Sequence, residues 1–183
     1  MVAVAGGCAS PTHEDSAPPL ATATAPLVPA ATPYRLMSGD RLRVIVFGQD
    51  DLSNSFSVDS AGVIAMPLAG RMRAQGLTTA ELERAIEARL RQGYLRDPSV
   101  SVEVEAFRPF FVLGEVGVAG QYPFISGMTV QNAIAVAGGF TPCAVEDSVD
   151  VTRIVGRSSV TSQEPLSFRL SPGDTITARE RVF

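Results

Sequence analysis

The side chains whose types and spacing could do chemistry are carboxylates: Asp50-Asp51, and Glu146-Asp147 with Asp150. A glycosidase holds two carboxyl groups about 5–10 Å apart across a sugar. A calcium loop sets oxygen ligands at alternating positions around a glycine. Positions 146, 147 and 150 do not follow the D-x-D-x-D-G step, so both groups read as solvated loop charges. Other chemistries lack their residues. All 15 basic residues are arginine and none is lysine, which excludes a P-loop lysine on transferred phosphates and a Schiff-base amine. The single histidine, His13, stands in a segment without a folding pattern. Histidine proton transfer, a Ser-His pair and a His-rich metal site therefore lose their usual players. With no cofactor motif either, the chain is expected to be no enzyme and to carry no cofactor and no metal.

Two cysteines remain, Cys8 and Cys143, and neither belongs to a CxxC motif. They could pair. Cys143 otherwise reads as a small apolar residue of core or loop. Cys8 follows Met1-Val2-Ala3-Val4-Ala5-Gly6-Gly7, small apolar residues like those that end a bacterial lipoprotein signal before a lipidated cysteine. Ala5 stands where leucine is commonest, and a positive leader and a 7–15-residue apolar stretch are both missing. The alternatives are a true start further upstream, with Cys8 lipidated, or an ordinary N-terminal tail. Residues 9–33 hold six of the 13 prolines among Ala, Thr and Ser. That composition buries too little apolar surface to offset chain entropy and reads as a tether.

The elements that would position anything further begin at Tyr34. Gly39-Asp40 makes a turn into a strand on which Leu42, Val44 and Val46 share one face. Short strands are expected at Phe56–Asp59 and Val63–Met66, flanking a turn at Asp59–Gly62, with Pro67 and Gly70 breaking the pattern. Thr78-Thr79-Ala80-Glu81 is a capping box. It opens a helix whose Leu82, Ala85, Ile86 and Leu90 face inward, with Arg89 and Arg91 on the negative end of its dipole and Gly93 ending it. Asp97-Pro98 turns the chain into Val100, Val102 and Val104, a strand of period two. From Pro109 to Phe140 the only charged residue is Glu115, a stretch that glycines and prolines keep from spanning a membrane. It reads as a hairpin, then a short helix from Thr129 with Val130, Ala133, Ile134 and Ala137 inward, stopped by Gly138-Gly139. Such charge depletion fits the core of a small domain or, in part, a subunit interface. Further strands are expected at Val149–Ile154, Ser167–Leu170 and Thr175–Ala178.

One pattern occurs twice. Leu36-Met37-Ser38-Gly39-Asp40-Arg41-Leu42 and Leu170-Ser171-Pro172-Gly173-Asp174-Thr175-Ile176 share L-x-x-G-D-x-(Leu/Ile), a Gly-Asp turn feeding a strand near each end of the folded region. Asp40 and Asp174 read as turn formers rather than ligands. At 183 residues, 45% hydrophobic and 19% charged, the chain suits one ordinary domain or two small ones. A net charge of −4 with scattered arginines shows no basic stripe for nucleic acid.

In order along the chain, these residues resemble the bacterial outer-membrane polysaccharide export family, in which an export domain precedes one or more soluble-ligand-binding β-grasp domains. The first part matches through Tyr34, Leu36, Gly39-Asp40, Leu42, Val44, Val46, Gly62, Pro67-Leu68, Gly70, Gly76-Leu77-Thr78, Leu82, Ile86, Leu90, Tyr94, Pro98, Val100 and Val102. The second matches through Val112-Leu113-Gly114-Glu115-Val116, Gly120, Tyr122, Thr129, Ala133-Ile134, Ala137-Gly138-Gly139-Phe140, Val149, Val151, Arg153, Pro172-Gly173-Asp174, Ile176, Glu180-Arg181 and Phe183. Ala119 departs from a usual proline.

The resemblance implies an α+β fold of two small mixed domains. Residues 34–106 would form the export domain, strands with one main helix, and 107–183 a single β-grasp-like domain. Before them come a partial lipoprotein signal at 1–8 and the tether at 9–33. It implies a periplasmic component of a capsular or exopolysaccharide export channel, anchored to the outer membrane through Cys8 and forming a homo-oligomeric ring. The implied partners are the polysaccharide, an inner-membrane copolymerase and, because no amphipathic helix follows the second domain, a separate outer-membrane β-barrel. The competing expectation is a periplasmic module that captures a glycan or small ligand without a channel role.

Overall fold

Alternation decides the first sheet. Leu42, Val44 and Val46 point inward from β1 (Arg41–Val46) while Arg41 and Arg43 face solvent, the period-two pattern of a half-buried strand. In the computed structural model, which describes residues 33–156 and 158–181, β1 pairs antiparallel with β2 (Asn54–Ser57) and β5 (Val100–Ala106). The strand expected at Phe56–Asp59 thus lies two residues earlier, because Asp59 instead accepts the N–H groups of Ala61 and Val63 and makes the turn. β3 (Val63–Met66) and β4 (Gly70–Arg73) form a separate hairpin. Of the two residues read as breakers, Pro67 opens its tip and Gly70 begins β4. Leu68 there adopts φ 63°, a left-handed conformation uncommon outside glycine.

α1 (Thr79–Arg91) begins at the Thr78/Glu81 capping box and buries Leu82, Ile86 and Leu90 against this sheet, with Ala85 only half-buried. It also closes an open sheet edge. In the order β2-β1-β5, β5 lies outermost, yet its Val100 and Val102 N–H groups donate to Glu87 Oε1 (3.1 Å) and Glu83 Oε1 (2.8 Å). Residues four apart on a helix advance about 6 Å and residues two apart on a strand about 6.8 Å. The two repeats match closely enough for one helix face to satisfy alternate amides of the strand.

The second core lies in a five-stranded sheet of order β7-β6-β10-β8-β9. Its strands are β6 (Phe110–Gly114), β7 (Gly120–Tyr122), β8 (Ser148–Val155), β9 (Ser158–Pro165) and β10 (Thr175–Ala178). β10 runs parallel to β6 and antiparallel to β8. α2 (Val130–Val136) packs Val130, Ala133 and Ile134 onto it from an N-cap at Thr129, whose hydroxyl accepts the Asn132 N–H. Ser167–Leu170 is not a strand. The carbonyls of Leu166 and Phe168 accept the Gln131 and Val130 N–H groups, satisfying free donors at the start of α2. The strands not expected are β4 and β9, the latter paired with β8 along its whole length.

The fold is therefore α+β, with two hydrophobic cores: one from Leu36 to Val102, the other from Phe110 to Ala178. Within the low-charge stretch 109–140, Phe110, Val112, Val130 and Ile134 enter the second core, while Val118, Ile125 and Val136 are exposed. No helix among the described residues is long and apolar enough to cross a membrane. Cys8 and residues 9–32 of the tether lie outside the described residues.

Candidate functional site

A buried carboxylate needs donors that stay in place. Among the described residues, the two most deeply buried acidic side chains are those of the repeated turn, Asp40 and Asp174, both fully shielded from solvent. Their local geometry is the same. Asp40 Oδ2 accepts the Met37 N–H at 2.8 Å and Asp174 Oδ2 the Ser171 N–H at 2.8 Å. The Asp40 and Asp174 N–H groups return to the Met37 and Ser171 carbonyls at 3.2 Å each. Gly39 and Gly173 precede them at φ 93° and 83°, a region that costs a side chain strain and glycine almost none.

The remaining partners differ. Asp174 takes both guanidinium arms of Arg153, Nε at 2.8 Å and Nη2 at 2.6 Å, a two-point fork that fixes orientation as well as charge. That contact raises the Arg153 pKa further, against the opposing effect of burial. Arg153 also lies 5.5 Å from the Phe168 ring centroid. Asp40 instead accepts the Tyr34 hydroxyl at 2.6 Å and, through Oδ1, the Arg108 backbone N–H at 3.0 Å. Burial, then the Asp40 carboxylate, push the Tyr34 hydroxyl well above its ordinary range, while the Arg108 charge pulls the other way.

Arg108 is where the two turns meet. It sits in the link between β5 and β6, its backbone held by Asp40. Its side chain crosses Gly173 so closely that a Cβ there would meet Arg108 Nε. A Cβ on Gly39 would lie 3.4 Å from Arg108 Cβ. Beside this clip, Phe107 makes edge-to-face contacts with Tyr34 (5.0 Å) and Phe124 (5.5 Å), favourable aromatic geometry that ties the link to both cores. Between the turns a cleft of about 320 Å³ opens, lined by Met37, Ser38, Arg108, Phe111, Ile154 and Pro172 among others. Arg108 Nη1 is buried without a hydrogen-bond partner among the described residues. Arg179 Nε is likewise without a hydrogen bond but lies 3.6 Å from Asp150 Oδ1.

Gly138 and Gly139, at φ 86° and 81°, end α2 with the Gly139 N–H donating to the Ile134 carbonyl at 2.9 Å. They also let Gly117 approach: a Cβ on Gly117 would lie 2.8 Å from the Gly138 carbonyl oxygen. Asp50, Asp51, Glu146 and Asp147 are exposed, and no metal-binding group of three or more His, Cys, Asp or Glu occurs among the described residues. Cys143 sits exposed in a loop, with no disulfide partner among the described residues. Sequence reasoning found both Gly-Asp turns as an echo but missed Arg108, Glu83 and Glu87. The two glutamates carried a signal in their four-residue spacing opposite an alternating strand; Arg108 carried none.

Comparison with known proteins gives the same order of parts. Residues 28–105 match the family model described as polysaccharide biosynthesis/export protein, and residues 109–163 match the SLBB domain. The exopolysaccharide production protein ExoF of Rhizobium meliloti is 34% identical over 121 residues, covering 60% of this chain and 29% of that protein. The EPS I polysaccharide export outer membrane protein EpsA of Ralstonia solanacearum is 28% identical over 189 residues, covering 85% of this chain and 50% of its own length. Its counterpart in Ralstonia nicotianae is 26% identical, with the same coverage. The chain thus spans from under a third to half the length of these relatives. The export model and these relatives are described by polysaccharide production and export. The chain is thus similar to the polysaccharide biosynthesis/export family over residues 28–105 and to the SLBB domain over residues 109–163.

Proposed function

We propose that this protein is a component of a capsular or exopolysaccharide export channel, held in the periplasm at the outer membrane and assembled as a homo-oligomeric ring. The observation that carries the reading is the pairing of the export and SLBB matches in one chain, on either side of the Arg108 link. In this reading residues 34–106 and 107–183 are the two domains, Cys8 carries the lipid anchor, and 9–33 is the tether. Polymer arrives from an inner-membrane copolymerase and leaves through an outer-membrane β-barrel. Exposed Val118, Ile125 and Val136 support a self-interface, because a ring closes through a heterologous contact between unlike patches.

The test is genetic and biochemical together. Deleting the gene should abolish surface polysaccharide, and protein extracted from membranes should run as a closed ring by native mass spectrometry. Normal surface polysaccharide in the deletion strain would refute the reading. The cleft between the turns favours a second reading, a periplasmic ligand-binding module without a channel role. Monomeric protein that binds one oligosaccharide tightly, with export intact, would favour it.

A further inference from the structure

Where β4 meets α1, the surface charge runs against that of the chain as a whole. The sequence carries a net charge of −4. Yet the groove of about 290 Å³ between these two elements is lined by Arg71, Arg73 and Arg89 and, among the described residues, by no acid. Arg71 and Arg73 are two apart on β4 and share one face, while Met72 between them packs against the first core. Arg89 comes from the last turn of α1, one turn beyond Ala85. Ala85 and Ala88 are too short to fill the groove and, with Met72, give it an apolar lining. Arg91 and Arg96 line a second recess at the C-terminal end of α1, again without an acid.

The three groove arginines are positioned with donors to spare. A guanidinium has five N–H donors. Arg89 gives its Nε to the Ala69 carbonyl at 3.3 Å, and Arg71 gives Nη2 to Asp59 Oδ2 at 3.3 Å. Arg73 forms no ion pair among the described residues. All three residues are exposed, so their remaining donors are open to a solute.

Guanidinium chemistry decides what such a row attracts. Its planar fork matches a carboxylate with two parallel hydrogen bonds, an arrangement a single hydroxyl oxygen does not offer. Each exposed pair contributes little and is screened by salt, so a ligand gains here only by meeting several arginines in succession. A polymer with a carboxylate on a repeating sugar does so, and its C–H faces suit Met72, Ala85 and Ala88. Contacts that are weak one by one also let go one by one, as a moving chain requires.

We propose that the groove between β4 and α1 is a guide for an acidic polysaccharide, with sugar carboxylates on Arg71, Arg73 and Arg89. The polymer class rests on the export reading.

The experiment is titration calorimetry on the full chain at low salt with two probes, a hexasaccharide of glucuronate and neutral cellohexaose. The glucuronate should bind and the cellohexaose should not. Arg71→Glu with Arg73→Glu should weaken glucuronate binding about tenfold or more, because attraction becomes repulsion at two places. Arg73→Gln, which breaks no ion pair, should weaken it about threefold. The control is Arg41→Glu with Arg43→Glu, the same change in net charge on the solvent face of β1, away from the core that α1 covers. It should shift binding by less than about twofold, with circular dichroism establishing that each variant folds. No glucuronate binding, equal binding of cellohexaose, or equal losses in the two double variants overturns the proposal. So does a groove variant that alters only oligomer mass or adsorption to phosphatidylglycerol vesicles, which would make this surface a contact between copies or with the membrane. Surface polysaccharide lost on gene deletion, with no glucuronate bound, leaves the export reading standing and removes the guide.

Discussion

Replacing Asp40 by alanine tests the junction most directly. The carboxylate accepts from the Tyr34 hydroxyl at 2.6 Å, the Met37 N–H at 2.8 Å and the Arg108 N–H at 3.0 Å, with no solvent exposure. Hydrogen bonds to a charged group contribute about 1.5–3 kcal/mol each, and a buried donor left unpaired costs about 1–3 kcal/mol. The Tyr34 hydroxyl can rotate toward another acceptor, whereas the two backbone amides are fixed. Bonds to one carboxylate are not independent, so the loss should be roughly 3–6 kcal/mol rather than the full sum. Against a typical stability of about 5–15 kcal/mol, that brings the protein close to unfolding. Asp40→Asn keeps one acceptor oxygen but turns an NH2 toward a donor, and should lose about 1–3 kcal/mol. Asp59→Ala is the control: Asp59 also accepts two backbone N–H groups, at 2.9 and 2.8 Å, but is exposed, and water can replace it at a cost of about 1 kcal/mol or less. The chain has no tryptophan, so urea unfolding followed by far-ultraviolet circular dichroism is the assay. A loss for Asp40→Ala no larger than that for Asp59→Ala would refute the argument that burial makes this turn structural.

Gly114→Ala should destabilise more than Gly173→Ala in the same assay. Both residues have φ +83°, but a Cβ at 114 would strike the Ala178 backbone oxygen, which cannot yield, whereas at 173 it meets the movable Arg108 side chain; equal losses would count against the clash argument. Thr78→Ala, which removes the N-cap of α1, should cost about 1 kcal/mol, and thermal melts superimposable on the parent would show that the box is decorative. Raising the pH should weaken the fold through Tyr34. Its native hydroxyl ionises above the ordinary value of 10.0, so the contribution is complete below that pH and is lost as pH rises above it, where the unfolded chain releases a proton that the native state keeps. Urea midpoints of the parent should therefore fall more steeply between pH 9.5 and 11 (roughly the phenol range) than those of Tyr34→Phe; parallel slopes would remove Tyr34 as the cause.

What could be read from the sequence follows from where the information lies. α1 was legible because its start, its buried face and its end each use a local signal: the Thr78/Glu81 box, Leu82-Ile86-Leu90, and Gly93. β1 and β5 were legible because each buries one face only. β9 was not, because Ser158–Pro165 is an edge strand with almost every side chain exposed; what holds it is backbone pairing with β8, which leaves no alternation to detect. Ser167–Leu170 misled in the opposite way, since Phe168 and Leu170 pack against the second core in alternation while the backbone between them serves the N-terminus of α2. β4 was hidden by Pro67 and Gly70, which break a strand only if the chain is not already reversing there. Both Gly-Asp turns were visible as a repeat, but nothing in the repeat says that the aspartates are buried or that both turns meet Arg108.

That last gap has a physical origin. A Gly-Asp turn satisfies part of its own carboxylate, one oxygen on the amide three residues back, and this part is encoded locally and identically at Asp40 and Asp174. The rest must come from elsewhere, and its source decides what the turn does. Asp174 draws on Arg153 within the same sheet, on the strand paired with its own, so the second turn stabilises one core only. Asp40 draws on the N–H of Arg108, beyond the end of β5, so the first turn cannot be fully satisfied until the chain has entered the second half. The Arg108 side chain then lies over Gly173, so the position of the first turn is sensed by the second through one residue. Two copies of a local motif thus become a clamp because their outstanding hydrogen-bonding needs are met asymmetrically. The residue joining them keeps one buried guanidinium nitrogen without a hydrogen-bond partner among the described residues.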